Sequence, residues 1–116
     1  MGANIQIFGK NKCFDTKKAQ RFFKERGVKF QMIDLPRFGM SAGELQSVKR
    51  AVGGLDELID YDAPEAAVLR YTAYEEDRER MLLEQPELFR TPIVRCGREA
   101  AVGYQPDAWK RWLEEK

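Results

Sequence analysis

The sequence predicts a mixed α/β fold, built from a βαβ unit, a helical insert over about residues 41–89, and a C-terminal ββα unit. Three observations support this prediction. Short β-prone runs stand near both ends of the 116-residue chain, helical apolar spacing fills its middle, and glycine or proline marks the turns. No linker, repeat or low-complexity segment interrupts the chain, so residues 1–116 are expected to form one domain.

The βαβ unit is expected at the start of the chain. The apolar run Ile5–Phe8 predicts a buried strand. The segment after it has helical spacing, with Asp15 or Thr16 as the cap and Gly27 at the end. The alternating run Val28–Leu35 predicts a second strand. Strand, helix and strand within about 30 residues form a right-handed crossover unit, so the two strands are expected to run parallel.

The middle of the chain is expected to be helical. Ser41 is followed three residues later by Glu44, which is the capping-box pattern, and Gly53 ends the helix that follows. Beyond it the sequence predicts two or three more short helices, with Pro64 and Pro86 in their first turns.

A hairpin and a helix are expected at the C-terminal end. Residues 92–95 and 99–104 are strand-like and flank a tight connection that contains Gly97, which predicts an antiparallel hairpin. Pro106 then opens a helix that carries two tryptophans on one face.

Composition argues against several classes of function. The net charge of +1 and the pI of about 7.7 give no argument for direct binding to nucleic acid. No run approaches about 18 apolar residues and the N-terminus lacks a signal-peptide pattern, so a cytoplasmic location without membrane contact is expected. Histidine is absent and the only thiols are Cys13 and Cys96, which argues against a metal site and against Cys–His catalysis.

Cys13 is the candidate nucleophile. A strand, a short loop and a helix start would place its sulfur at a helix N-terminus, where free backbone N–H groups and the helix dipole favour a thiolate. Lys10 and Lys12 precede it and two further lysines follow, which adds positive potential and would activate the thiol. The alternative is a buried cysteine that only fills space beside Phe14.

The dipeptide Thr91-Pro92 is the second signal. If its peptide bond is cis, the chain turns sharply and the Thr91 backbone can face the Cys13 loop, whereas a trans proline would only start an edge strand. Cys96 lies four residues beyond Pro92, about 13 Å along an extended chain. It is therefore expected to be a bystander thiol and not the resolving partner of Cys13.

Four motifs together resemble the ArsC/Spx/YffB family of thioredoxin-like proteins. They are "CFDTKKA" at the first helix, "PELF" at the end of the insert, and "TPIV" and "VGY" in the hairpin. Their order and spacing agree with the family over nearly the whole chain. The resemblance implies a thioredoxin/glutaredoxin-like fold with a helical insert, a catalytic or sensing role for Cys13, and a cis bond before Pro92.

The resemblance also implies a thiol-dependent oxidoreductase that works with one cysteine. Spx proteins have a second cysteine where this chain has Thr16. An external partner, such as glutathione, another low-molecular-weight thiol or a glutaredoxin, is therefore expected to resolve Cys13. Thr16 would hydrogen-bond the thiolate or cap the helix, while Thr91 and Pro92 would bind the thiol substrate. No bound cofactor or metal is implied.

Two other functions are compatible with the same resemblance. The family's arsenate reductases have arginines at three places that here hold approximately Asp60, Thr91 and Gln105, so arsenate reduction would need a non-standard oxyanion site. Arg90 and Arg95 are the nearest substrate-binding candidates in the sequence. The other function is that of an Spx-like, non-enzymatic regulator that binds RNA polymerase, although the arginine missing at Thr91 is an Spx feature too.

Overall fold

The computed structural model describes residues 4–114, and a four-stranded mixed sheet lies at its centre. The strands are β1 (Ile5–Gly9), β2 (Phe30–Asp34), β3 (Ile93–Cys96) and β4 (Glu99–Val102). They lie in the order β2-β1-β3-β4, with β1 parallel to β2 and antiparallel to β3, and with β4 antiparallel to β3. The predicted parallel βαβ unit and antiparallel hairpin are therefore confirmed.

Helices surround the sheet and fill the middle of the chain. Among the described residues the α-helices are α1 (Phe14–Glu25), α2 (Leu35–Phe38), α3 (Ala42–Val52), α4 (Ala67–Arg70), α5 (Glu75–Glu84) and α6 (Pro106–Glu114). Short 3-10 turns span Leu55–Leu58, Pro64–Ala66 and Pro86–Leu88. The region from α3 to the last of these turns is the predicted helical insert, and α6 completes the ββα unit.

Two boundaries differ from those that the sequence predicts. Helix α1 begins at Phe14, so the prediction that Asp15 or Thr16 caps it is wrong. The cap residue is Cys13, whose backbone is extended with φ −87° and ψ 118°. Strand β2 is also shorter than predicted, because α2 begins at Leu35. The next residue is a proline, and it is tolerated in the first helical turn because an N–H group there would have no partner within the helix.

The sheet separates two clusters of buried side chains. Phe8 and Ile93, which are paired across β1 and β3, belong to the cluster that contains α3 and the rest of the insert. Ile7 and Val94, one residue along each strand, belong to the cluster formed with α1 and α6. Because successive side chains of a strand point to opposite faces, α1 and α6 cover one face and the insert covers the other.

The end of the insert is held by backbone hydrogen bonds to its own earlier part. The Asp60 N–H donates to the Leu88 carbonyl and the Arg90 N–H donates to the Leu58 carbonyl, both at 2.8 Å. Each bond satisfies the N–H group of a residue that lies outside the helices and strands. The chain therefore reaches Thr91 and β3 from a fixed direction.

Two expectations concern the chain as a whole. Within residues 4–114 no helix is long and apolar enough to cross a membrane. That residues 1–116 form a single domain stays a prediction.

The capping box of α3 is present and can be tested by mutation. Ser41 Oγ accepts from the Glu44 N–H at 3.1 Å, and the Glu44 carboxylate accepts from the Ser41 N–H at 2.9 Å. Ser41→Ala is expected to lower the free energy of unfolding by about 1 kcal/mol in urea denaturation, because a helix-terminal N–H loses its acceptor. Ser47→Ala, inside the same helix, is the control and should be neutral or slightly stabilising. An equal loss in both variants would contradict the capping role.

Candidate functional site

The candidate site forms where β1 ends and α1 begins. After Gly9 the chain makes a turn in which the Cys13 N–H donates to the Lys10 carbonyl at 3.1 Å. The Cys13 thiol then donates to the Thr91 carbonyl, with 3.6 Å between sulfur and oxygen. The peptide bond between Thr91 and Pro92 is cis. The two signals found in the sequence, a cysteine at a helix start and a threonine-proline pair, are therefore in contact.

The pKa of the Cys13 thiol lies below its ordinary value. Partial burial is the largest single influence and raises the pKa, but several hydrogen bonds to the sulfur together outweigh it. They come from the side chains of Thr16 and Thr91 and from the backbone N–H groups of Thr16 and Asp15, in the first turn of α1. The sulfur thus lies at the start of α1, where backbone N–H groups have no partner within the helix.

Thr16 joins the loop after β1 to the sulfur. Its side chain is almost completely buried, with 1% of its surface exposed, and its hydroxyl accepts from the Lys10 N–H at 3.4 Å. This seating requires glycine at position 9, because a Cβ there would lie only 2.7 Å from Thr16 Oγ1 and closer still to its methyl carbon. Since Cys13 is the cap residue, the geometry favours the first of the two roles expected for Thr16, a hydrogen bond to the sulfur.

The lysines near Cys13 contribute differently from each other. The ammonium group of Lys10 is bound by backbone carbonyls, because Nζ donates to the Glu87 carbonyl at 2.7 Å and to the Phe89 carbonyl at 3.1 Å. Lys12 is exposed on the loop. Among the described residues, the groups that lower the pKa of Cys13 are threonines and backbone N–H groups, and no lysine is one of them. Activation of the thiol by Lys10 and Lys12 stays a prediction.

The two candidate arginines lie in different parts of the structure. Arg95 Nη1 donates to Gln6 Oε1 at 3.2 Å, and the two residues are paired across β1 and β3 in the middle of the sheet. Arg90 is exposed and, with Gln105, lines an open cavity of about 330 Å³ beside β4. Within residues 4–114 no guanidinium is among the groups that act on the pKa of Cys13.

Cys96 lies at the opposite end of the sheet from Cys13. It is the last residue of β3 and pairs with Ile5 at the start of β1, whereas Cys13 follows the end of β1. Its side chain packs against the cluster that contains α1 and α6. The length of the strand lies between the two sulfurs, as is expected if Cys96 is a bystander thiol. No group of three or more His, Cys, Asp or Glu side chains in the described part of the chain could hold a metal ion.

The sequence did not indicate two further features of the site. The close seating of Thr16 against Gly9 is one, and its only sequence signal is the glycine that closes a β-prone run. The other is Phe14, whose ring is 77% exposed directly beside the nucleophile. The sequence signal for this exposure is that Phe14 precedes the apolar stripe of α1, which begins at Ala19.

Comparison with known proteins identifies the family. The model of the ArsC family matches residues 8–112. The chain belongs to the ArsC family. The matched segment includes Cys13, Thr91 and Pro92, so the site described above lies wholly within the ArsC-family part of the chain.

Individual relatives of this ArsC-family protein differ in what they are called. "Global transcriptional regulator Spx 2" of Oceanobacillus iheyensis is 28% identical over 116 residues, which cover 97% of this chain and 85% of that protein. An arsenate reductase from Vibrio cholerae has a TM-score of 0.86 at 19% identity, with 97% and 100% of the two chains covered. An ArsC family related protein from Bacteroides fragilis has a TM-score of 0.82 at 17% identity, with 97% and 99% covered. At these identities the two structures show the fold alone, and it is thioredoxin-like, as expected.

The role of Thr16 predicts a measurable change in the thiol of this ArsC-family protein. Thr16→Val keeps the shape of the buried side chain but removes the hydroxyl that favours the thiolate, so the pKa of Cys13 is expected to rise. The measurement is the rate of alkylation by iodoacetamide against pH, whose midpoint should move to higher pH.

Three variants make this test specific. Thr16→Ser retains a hydroxyl and should keep the midpoint near that of the wild type. Thr72→Val removes a hydroxyl that bonds to the Val68 carbonyl elsewhere and should leave the midpoint unchanged. Cys13→Ser identifies the alkylated thiol. An unchanged midpoint in Thr16→Val would refute the proposed hydrogen bond.

Proposed function

We propose that this ArsC-family protein is a thiol-dependent oxidoreductase in which Cys13 is the single nucleophile. The observation that carries this proposal is the position of the Cys13 sulfur at the cap of α1, against the Thr91 carbonyl, with a lowered pKa. A thiolate is the form of cysteine that attacks disulfides, and a lower pKa increases its fraction near neutral pH. The cytoplasm, where low-molecular-weight thiols are kept reduced, is the proposed location.

The proposed reaction is thiol–disulfide exchange. The Cys13 thiolate attacks one sulfur of a substrate disulfide, so a bond to Cys13 forms as the substrate S–S bond breaks, and the leaving thiolate takes a proton from water. One external thiol then displaces the substrate thiol from Cys13, and a second external thiol regenerates the free Cys13 thiolate. In sum, one substrate disulfide is reduced to two thiols, and two external thiols are oxidised to one disulfide.

The surroundings of Cys13 support distinct roles for its neighbours. Thr16 and the first-turn N–H groups of α1 stabilise the sulfur as a nucleophile and as a leaving group, because both forms are thiolates. The Thr91 carbonyl lies against the sulfur, and Thr91 and Pro92 are proposed to bind the backbone of the thiol substrate. Cys96 lies at the far end of β3, which supports an external resolving thiol, either glutathione-like or carried by a glutaredoxin-like protein.

Turnover with glutathione tests this proposal. With glutathione and hydroxyethyl disulfide, wild type and Cys96→Ser are expected to reduce the disulfide and to carry one glutathione on Cys13 when the cycle is halted, as measured by mass spectrometry. Cys13→Ser should neither reduce the disulfide nor carry glutathione. Equal turnover in wild type and Cys13→Ser would refute the nucleophile.

Arsenate serves as a second oxidant in the same assay. Arsenate-dependent oxidation of glutathione that is lost in Cys13→Ser would establish arsenate reduction with a non-standard oxyanion site. Arg90→Gln and Arg95→Gln would then show which guanidinium holds the oxyanion, because a cationic fork is the preferred ligand of such an anion. If arsenate does not cause oxidation of glutathione, thiol–disulfide exchange remains as the proposed reaction.

A second candidate function is an Spx-like regulator that binds RNA polymerase without turnover. The observation that favours it is the 28% identity, over 97% of this chain, to a relative described as a global transcriptional regulator. Under this function, immobilised protein is expected to retain purified RNA polymerase at physiological salt while Cys13→Ser retains it equally well. Absence of retention, together with glutathione turnover, would reject the regulator in favour of the enzyme.

A further inference from the structure

The charges of this protein are divided unevenly between its two parts. Residues 41–89, the helical insert, contain 12 acidic and five basic residues, whereas the rest of the chain contains seven acidic and 15 basic residues. The insert therefore carries a net charge of −7 and the remainder +8, although the whole chain has only +1. Overall charge conceals this separation, and the basic part is the one that contains Cys13.

A groove between α1 and α6 concentrates part of the basic charge. It is an open cavity of about 450 Å³, on the face of the sheet that the insert does not cover. Its cationic lining comes from Lys18, Arg21 and Arg26 at α1 and from Lys110 of α6, and within residues 4–114 the one carboxylate in the lining is that of Glu25. The described residues of the lining therefore carry four cations and one anion.

Aromatic rings, more than carboxylates, hold these cations. The guanidinium of Arg26 lies 3.7 Å from the centroid of the Phe22 ring, and Lys18 Nζ lies 5.3 Å from that of Tyr104. Lys18 has a single, loose ion pair with Asp15, at 3.9 Å and largely exposed. Cation–π contacts position a charge without neutralising it. Within residues 4–114, the remaining two cations of the lining form no ion pair shorter than 4 Å.

Two short stretches of the chain connect the thiol to the groove. Tyr104, in its lining, follows Gly103, whose N–H donates to the Pro92 carbonyl at 2.8 Å. Pro92 in turn follows Thr91, the residue that contacts Cys13. On the other side, α1 leads from Cys13 at its cap directly to the groove. A chain bound at the thiol can therefore continue into the groove without crossing the protein.

We propose that this groove binds an acidic peptide segment of the protein whose disulfide or thiol reacts with Cys13. The inference rests on the proposed function and adds the class of its partner: a protein with carboxylates close to its reactive cysteine. Carboxylate side chains complement these cations, which within residues 4–114 form only one ion pair, the exposed one of Lys18, and Tyr104 and Pro106 supply apolar surface for the carbon atoms of the peptide.

The length of α1 gives the positions of the acidic residues. Lys18 is five residues beyond Cys13 and Arg26 is 13 residues beyond it, which is about 8 Å and about 20 Å along a helix. An extended peptide covers the same distances in about two to six residues. Acidic residues are therefore expected about two to six positions from the reactive cysteine of the partner.

Rates of exchange with designed peptides test this proposal. Each peptide holds one cysteine as a mixed disulfide with 5-thio-2-nitrobenzoate, and either four Asp or four Asn residues within the six positions that follow or precede the cysteine. With wild-type protein at low salt, the Asp peptide of one orientation is expected to release the chromophore about five- to tenfold faster than its Asn counterpart. At about 0.5 M salt the difference should disappear, because screening then acts within a few ångströms.

A pair of double variants assigns the effect to the groove. Arg21→Gln with Lys110→Gln removes two groove cations that are exposed on helix surfaces, and should remove most of the preference for Asp. Lys29→Gln with Arg98→Gln removes two exposed cations that are not among the lining residues of the groove and makes the same change in net charge. This control should keep the preference. Both double variants should react normally with hydroxyethyl disulfide, which carries no charge.

The outcomes separate the groove from the chemistry at Cys13. Equal rates for Asp and Asn peptides, with normal reaction of hydroxyethyl disulfide, would overturn the groove and leave the proposed function intact. If Cys13 reacts with no disulfide, the proposed function fails, and binding of the Asp peptide to Cys13→Ser, measured by fluorescence anisotropy, decides about the groove. Weaker binding by Arg21→Gln with Lys110→Gln supports it.

Two competing occupants are tested in the same binding assay. A single-stranded oligonucleotide of equal charge that binds as tightly as the Asp peptide would overturn the assignment to an acidic protein segment. Self-association at low salt that is lost in the groove variant would do the same, because the acidic insert of a second copy would then be the occupant. Monomeric protein that prefers the Asp peptide supports the proposal.

Discussion

The close approach of Thr16 to Gly9 is the constraint on which the site depends. Position 9 has no room for a Cβ, and because glycine has none, the first turn of α1 packs directly against the end of β1. From this seating Thr16 reaches both the Lys10 N–H and the sulfur of the cap residue. A side chain at position 9 would push the helix away, and the sulfur would then lose the groups that favour its thiolate form.

The same loop also connects the site to the insert. Lys10 uses its N–H toward Thr16 and its ammonium group toward the carbonyls of Glu87 and Phe89, where the insert ends. The backbone bonds of Asp60 and Arg90 hold that end in place from the other side. Backbone groups therefore position both the loop before Cys13 and the segment that leads to Thr91, as much as side chains do.

The sequence predicted the elements well because periodicity and turn residues determine them, and it predicted the meeting of Cys13 with Thr91-Pro92 through a family resemblance. It failed at the cap of α1, where Asp15 and Thr16 are the usual cap residue types but the backbone conformation places the cap at Cys13. The seating of Thr16 against Gly9 and the hydrogen bonds of Lys10 to the insert could not be predicted either. Each depends on a distance between segments that are far apart in the sequence or tightly packed, and residue type does not encode such distances.

The division of charge has a consequence that reaches beyond the groove. An acidic insert on one face of the sheet and a basic remainder around the other give the protein a large electric dipole moment at nearly zero net charge. In the field of a charged partner, such a molecule is rotated before the two surfaces meet. The torque turns the basic face, with Cys13 at its edge, toward negative partners, so encounters are oriented productively while the small net charge produces little general attraction.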